Sequence, residues 1–129
     1  MAKAIPIHKL ANEIVNAVRE YTEDVQEAIA KEVDDTAKKV LRDVKALSPK
    51  RTGEYASTFV RTNKSLAAHG RRMYVIWNKK HYRRVHLLEF GHALRNGGRA
   101  PEFPHLRPAH DKHVPQMVEN IKRIIQNGG

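Results

Sequence analysis

A chain of 129 residues that is 40% hydrophobic, 29% charged and 6% aromatic is sized for one modest domain around one core, residues 1–129, and is too short for two. Zero cysteines exclude disulfides, thiol chemistry and every Cys-based zinc or iron–sulfur site. No apolar run has membrane-spanning length and no leader reads as a signal peptide, so the expectation is synthesis in the cytoplasm and no contact with a membrane core.

The net charge of +10 is unevenly placed. Residues 1–47 carry 8 Lys/Arg against 9 Asp/Glu, and residues 48–129 carry 16 against 5. The basic part suggests an acidic partner, whether nucleic acid, an anionic membrane surface or an acidic protein face. The plain alternative is a solvated basic surface.

Along the first part, Leu10, Ile14, Val18, Tyr21, Val25, Ile29, Val33, Thr36, Val40, Val44 and Leu47 recur in steps of three and four, the stripe of an amphipathic helix. Ser48-Pro49 stops it, because the residue before a proline is pushed out of the α region. Thr22-Glu23-Asp24 is a weak point where a cap residue and acids favour a restart. About 38 helical residues at ~1.5 Å each span roughly 57 Å. A compact chain of this length is only roughly 35–40 Å across. The excess is expected to be covered by a neighbouring subunit.

In "SPKRTGEYASTFVRTN", Thr52-Gly53 is a turn signal and Tyr55–Thr62 reads as a strand. Residues 65–70 read as a loop. Met73–Trp77 is the clearest strand, expected to pair antiparallel with the first. His81–Phe90 reads as a short helix with Tyr82, Val85 and Leu88 facing inward and Gly91 at its end. The prolines and glycines of residues 92–108 predict an irregular loop. Val114, Met117, Val118, Ile121, Ile124 and Ile125 mark a second amphipathic helix that starts or kinks near Pro115. The expected class is α+β: a long N-terminal helix packed on a small antiparallel sheet, a short middle helix and a C-terminal helix. Residues 1–47 form the helix and 48–129 the core.

The histidines and acids of "HLLEFGHALRNGGRAPEFPHLRPAH" do not add up to a metal site. Gly91 separates Glu89 from His92, and no His-Glu-x-x-His pair exists. "KKHYRRVH" has the residue types of a small basic RNA-binding protein or a metal-independent, toxin-like ribonuclease, with His81, Tyr82 and His86 as candidates. Nothing marks one histidine above the others as an acid–base group. With few aromatics, the arginines and lysines offer phosphate contacts without base readout. No cofactor motif is present.

Three motifs occur in order: Pro49-x-x-Thr52-Gly53, Glu89-Phe90-Gly91, and Pro104-His105-Leu106-Arg107-Pro108-Ala109. Over about Lys38 to Ile125 the chain resembles the tail-component family of tailed bacteriophages, the gene-product-ten-like proteins named from a lambdoid Hong Kong phage. Their motifs are a Pro-x-x-Thr-Gly turn, a Glu-(Phe/Tyr)-Gly helix end and a Pro-Phe-Leu-(Arg)-Pro-Ala entry to the last helix. The resemblance implies a non-enzymatic virion protein of the neck, made in the bacterial cytoplasm: a tail-completion or head–tail connector component without cofactor. It implies a homo-oligomeric ring, a hexamer by analogy with six-fold tail tubes. The implied partners are neighbouring neck, tail-tube and tail-terminator proteins, with non-specific contact to DNA passing through the channel. His105 departs from the family's aromatic, and Phe103 is expected to fill that pocket. The expected subunit interface is Ile14, Val18, Val25 and Ile29 on the helix, with Arg95, Arg99 and Arg107 reaching Glu20, Glu23, Asp24 and Glu27 of the next subunit. Glu89, a carboxylate at a helix C-terminus, opposes the macrodipole, so it needs Arg107, Arg99 or backbone donors as partners.

Overall fold

The apolar stripe folds as one helix, α1 (Ile7–Leu47), 41 residues long. The structure, a computed structural model, describes residues 7–65 and 72–129, with side chains from residue 20 onward. The side chains of Ile14 and Val18, and most of the loop expected at 65–70, lie outside the described residues. α1 runs unbroken through Thr22-Glu23-Asp24, against the restart expected there. With no Gly or Pro nearby, extending a formed helix costs less than nucleating a new one. Its end is fixed by Ser48, whose buried hydroxyl and N–H both donate to the Val44 carbonyl.

The strand expected from Tyr55 begins later. A single helical turn, α2 (Glu54–Ser57), comes first. Gly53 enters it at φ +80°, and the Ser57 N–H donates to the Gly53 carbonyl at 3.0 Å. The Ser57 and Thr58 hydroxyls both return to the Glu54 carbonyl at 2.9 Å. Such local hydroxyl-to-backbone bonds compete with strand pairing. Strand β1 (Phe59–Asn63) then pairs antiparallel with β2 (Tyr74–Asn78), in the register Phe59↔Asn78 to Asn63↔Tyr74. One face of this ribbon turns to α1, where Phe59 packs with Val44 and Arg61 pairs with Asp34. The other presents Val75 and Trp77, with the Trp77 indole donating to Thr62 Oγ1 at 2.8 Å.

A 3-10 turn (Tyr82–Arg84) leads into α3 (Val85–Phe90). Val85 packs on the core, but Tyr82, expected inward, is 55% exposed. The 3-10 start rotates it away from the α-helical face assumed for it. The segment expected to be irregular contains a short ladder, β3 (His92–Ala93) with β4 (Arg99–Ala100). The Leu94 N–H to Gly98 carbonyl bond of 2.7 Å closes its turn.

The final helix, α4 (Leu106–Asn127), starts well before Pro115 and runs through it. Pro115 and Asp111, whose carbonyl loses its helical donor, are both exposed, so water can take the vacant position. α4 lies antiparallel along α1. The Tyr21 hydroxyl donates to the Ile125 carbonyl, Asn120 donates to Glu32 at 2.8 Å, and His113 pairs with Asp43. Ile29, Val33 and Val40 of α1 face Val114, Met117 and Ile121 of α4 across an apolar seam closed by Ile76. Gly128 ends the helix at φ +78°, and a Cβ there would stand 2.8 Å from the Tyr21 ring. The fold is α+β, with Val44, Phe59 and Ala109 at its centre and Val40, Leu41, Tyr55, Ile76, Val85 and Leu106 around them. Because the end of α4 rests on Tyr21, the stretch of α1 from Ile7 to Glu20 continues about 14 residues, roughly 21 Å, past it.

The half-buried Asp43–His113 pair ties the two long helices together. The hydrogen bond from His113 outweighs desolvation and, with Lys112 nearby, holds the Asp43 carboxyl below its ordinary value. A depressed carboxylate stabilises the fold above its unfolded pKa, near 3.8, and that contribution fades as pH falls through the lower folded value. Asp43→Asn is therefore expected to cost about 1 kcal/mol at neutral pH and nothing in strong acid. Urea unfolding at pH 7 and pH 2.5 measures the difference.

Candidate functional site

Glu89 is the most buried carboxylate among the described residues, 4% exposed at the end of α3. Its oxygens accept the backbone N–H groups of His105 (2.8 Å), Leu106 (3.0 Å) and Arg107 (2.9 Å). These are the first donors of α4, which no intrahelical carbonyl can satisfy. The next position is Pro108, which has no N–H to satisfy. Glu89 and Pro108 together account for the whole open end of the helix. The opposing dipole expected of α3 is thus outweighed by the favourable positive end of α4. Burial alone would raise the Glu89 pKa, but the three backbone donors and nearby His105 more than offset it and leave it lowered.

His105 lies at the centre of this arrangement and is fully buried. Its Nδ1 is 2.6 Å from the Phe103 carbonyl, which can only accept, so the network assigns the proton to Nδ1. Glu89 Oε2 is 2.9 Å from the same nitrogen. Nε2 meets the Tyr55 hydroxyl, which can donate or accept, at 2.7 Å. The Tyr55 and Phe59 rings both meet the imidazole edge to face, at 5.5 and 5.7 Å. The aromatic pocket is therefore filled by His105 itself. Phe103, expected there, is 46% exposed. An imidazole can occupy a ring-shaped space when both nitrogens find partners, and here they do.

Tyr55 and Asn78 were not singled out by sequence pattern, yet both organise this region. Asn78 is fully buried; its amide donates to the Tyr55 carbonyl (2.8 Å) and its oxygen accepts the N–H groups of Lys80 (3.1 Å) and His81 (2.7 Å). The one signal was its place as the polar residue closing the apolar run Met73–Trp77.

The remaining motif residues are turns and ends. Pro49, Thr52 and Gly53 form the link from α1 to α2, with the Glu54 N–H donating to Thr52 Oγ1 at 3.3 Å. Gly91 follows Phe90 at φ +69°, and a Cβ there would stand 2.6 Å from the Ala100 carbonyl oxygen. Gly91→Ala is expected to cost about 2–4 kcal/mol, combining a left-handed backbone penalty with a backbone clash. A thermal melt that leaves Tm unchanged would refute this. Pro104 precedes the α4 cap, Leu106 opens the helix, and Ala109 is fully buried in the core.

Among the residues expected at a subunit interface, Val25 is half-buried and Ile29 lies in the α1–α4 seam of its own chain. Arg95 is exposed. Arg99 donates to the Phe90 carbonyl at 3.0 Å, capping the end of α3, and the Arg107 guanidinium lies over the Phe90 ring at 5.7 Å. Neither arginine side chain reaches Glu89; Arg107 meets it through its backbone.

The Tyr55–His105–Glu89 chain has no exposed imidazole atom surface for a substrate, and burial together with the Glu89 charge pushes the Tyr55 hydroxyl up to about 12. His81 lies 3.6 Å from Glu54, which is also paired with Lys80, while His86 lines a separate cleft. Among the described residues no three His, Asp or Glu side chains converge as metal ligands, and no helix is long and apolar enough to cross a membrane. Buried polar groups here join one chain segment to another, as in a structural subunit. The chain belongs to the family described as "Bacteriophage HK97-gp10, putative tail-component", whose profile matches residues 12–91. That match begins earlier than the resemblance read from the motifs and ends at Gly91, before Pro104–Ala109. No curated protein and no solved structure matches the chain.

Proposed function

We propose that this tail component is a tail-completion or head–tail connector protein that forms a homomeric ring at the neck of the virion. The observation that carries the reading is the overlong α1. Its segment from Ile7 to Glu20 extends past the helix that covers the rest, while its sequence keeps the apolar spacing of Leu10, Ile14 and Val18. An amphipathic helix held away from its own core gains stability by burying that stripe against another chain. Repeated head-to-tail contacts close into a ring when the rotation allows it, and six copies match a six-fold tail tube. The neighbours above and below are then neck, tail-tube and tail-terminator proteins, and any contact with DNA in the channel is non-specific.

The test is the mass of the purified protein, alone and mixed with its tail-tube and neck partners. A closed oligomer supports the reading; a monomer under every condition overturns it. Exposed ion pairs contribute about 0.2–1 kcal/mol each. Replacing Arg95 and Arg99 with Ser is therefore expected to weaken the ring modestly, with a smaller effect at high salt. An equal effect at low and high salt would remove those arginines from the interface.

A further inference from the structure

The cleft between α3 and the start of α4 has the composition of a receiving site for a helix. Its volume is about 660 Å3, and Tyr82, Val85, Phe90 and Leu106 line it. Tyr82 and Phe90 are 55% and 53% exposed, unusually open for large rings. Each carries a guanidinium against its face, Arg83 on Tyr82 and Arg107 on Phe90, both at 5.7 Å. His86 and His110 add to the rim, and both acids in the lining are already partnered: Glu89 by the three backbone N–H groups of α4 and Asp111 by His110 at 3.2 Å. Exposed aromatics set among arginines are the residues that dominate protein interfaces.

The complementary surface is on the same chain but out of its own reach. Around the N-terminal part of α1, Glu20, Glu23, Asp24 and Glu27 are exposed and form no ion pair among the described residues. The sequence before them keeps Leu10, Ile14 and Val18 at four-residue spacing. α4 separates this segment from the cleft: Leu106, in the cleft, opens α4, and Ile125, against Tyr21, lies near its far end. That is roughly 30 Å of rigid helix, so no bend of one chain joins the two.

We infer that the α3–α4 cleft receives the N-terminal part of α1 from a second copy of this chain, apolar stripe inward and acids against the Arg83, Arg107 and histidine rim. The contact joins two different surfaces and is therefore head-to-tail, the kind that closes rings. It rests on the ring reading for its biological setting, and it adds the cleft as the surface that receives the helix, beside the residue 92–107 loop and sharing Arg107 with it.

Because the chain has no cysteine, single thiols report the contact without background. Copies carrying Val18→Cys are mixed with differently tagged copies carrying Asp111→Cys, an exposed position in the cleft lining, and treated with a short bis-maleimide. The control pair is Val18→Cys with Val118→Cys, an exposed position on α4. The expected result is a mixed dimer from the first pair and little from the second. In parallel, Phe90→Ser and Arg107→Ser, side chains at the surface, are each expected to raise the concentration for half-assembly about 10-fold while the helical circular dichroism stays unchanged. A ring that forms without the cross-link overturns the cleft and leaves the ring standing. A cross-link without a ring supports the cleft and overturns the ring. If neither appears, both fall. If Asp111→Cys instead captures the tail-tube protein and not a second copy, the occupant proposed here is wrong.

Discussion

Replacing Glu89 with alanine is expected to lower the stability of the protein by about 3–5 kcal/mol. The argument starts from the three N–H groups the carboxylate accepts, those of His105, Leu106 and Arg107. Hydrogen bonds to a charged acceptor contribute about 1.5–3 kcal/mol each, and buried donors left without a partner cost about 1–3 kcal/mol. Water can reach part of the site once the side chain is gone, so the loss is less than three full bonds. For a domain of this size the change corresponds to a fall in Tm of roughly 10–20 °C. Glu89→Gln retains an acceptor oxygen but turns an amide donor toward donors, and is expected to cost about half as much. The two effects also differ with pH. The folded carboxyl titrates below its ordinary value near 4.5, so its contribution is complete above that value and disappears as pH falls through the folded pKa. The wild type should therefore lose stability on acidification below about pH 4.5, and Glu89→Gln should follow a flatter curve. Denaturant midpoints of the three proteins between pH 7 and pH 2.5 decide the matter. Equal midpoints at pH 7 would make Glu89 an ordinary acid.

This expectation shows how far the sequence reaches. The class of fold and its long elements were legible because they depend on periodicity. Apolar positions every three or four residues mark α1 and the second half of α4, and a short continuous apolar run, Met73–Trp77, marks β2. The motifs Pro49-x-x-Thr52-Gly53 and Phe90-Gly91 marked turns because the backbone there needs residues with special torsions, and Gly53 and Gly91 do stand at positive φ. What could not be read was each decision made by a partner distant in sequence. Glu89 at the end of α3 looked misplaced until the start of α4 was laid against it. Pro115 looked like a helix start because the true cap, the Glu89 carboxylate 16 residues before His105 and on another helix, has no local signature. His105 looked like a departure from an aromatic position, but Tyr55 and Phe103 supply partners for both nitrogens. Phe103, the apparent substitute, is thereby left at the surface.

Replacing Val18 and Val25 together with aspartate is expected to abolish the ring while leaving the subunit folded. The two positions are seven residues apart, so they recur on one side of a helix after two turns. Val25 is half-buried close to Tyr21, where cover from α4 ends, and Val18 belongs to the part of α1 beyond it. Aspartate costs only about 0.7 kcal/mol of helix propensity relative to the best residues, too little to unfold a helix held along most of its length by α4. Burying each carboxylate against an apolar partner costs several kcal/mol, and a ring repeats that cost at every junction. The apparent association constant should fall by about 1,000-fold or more, since each 1.4 kcal/mol is a factor of ten. Val18→Asp alone separates folding from assembly, because the position lies outside the α1–α4 seam. Its circular dichroism and Tm should match the wild type while its ring is weakened. Light scattering across a concentration series, with and without the tail-tube protein, measures both variants. A double variant that assembles at wild-type concentrations would show that the overlong helix does not hold the subunits together.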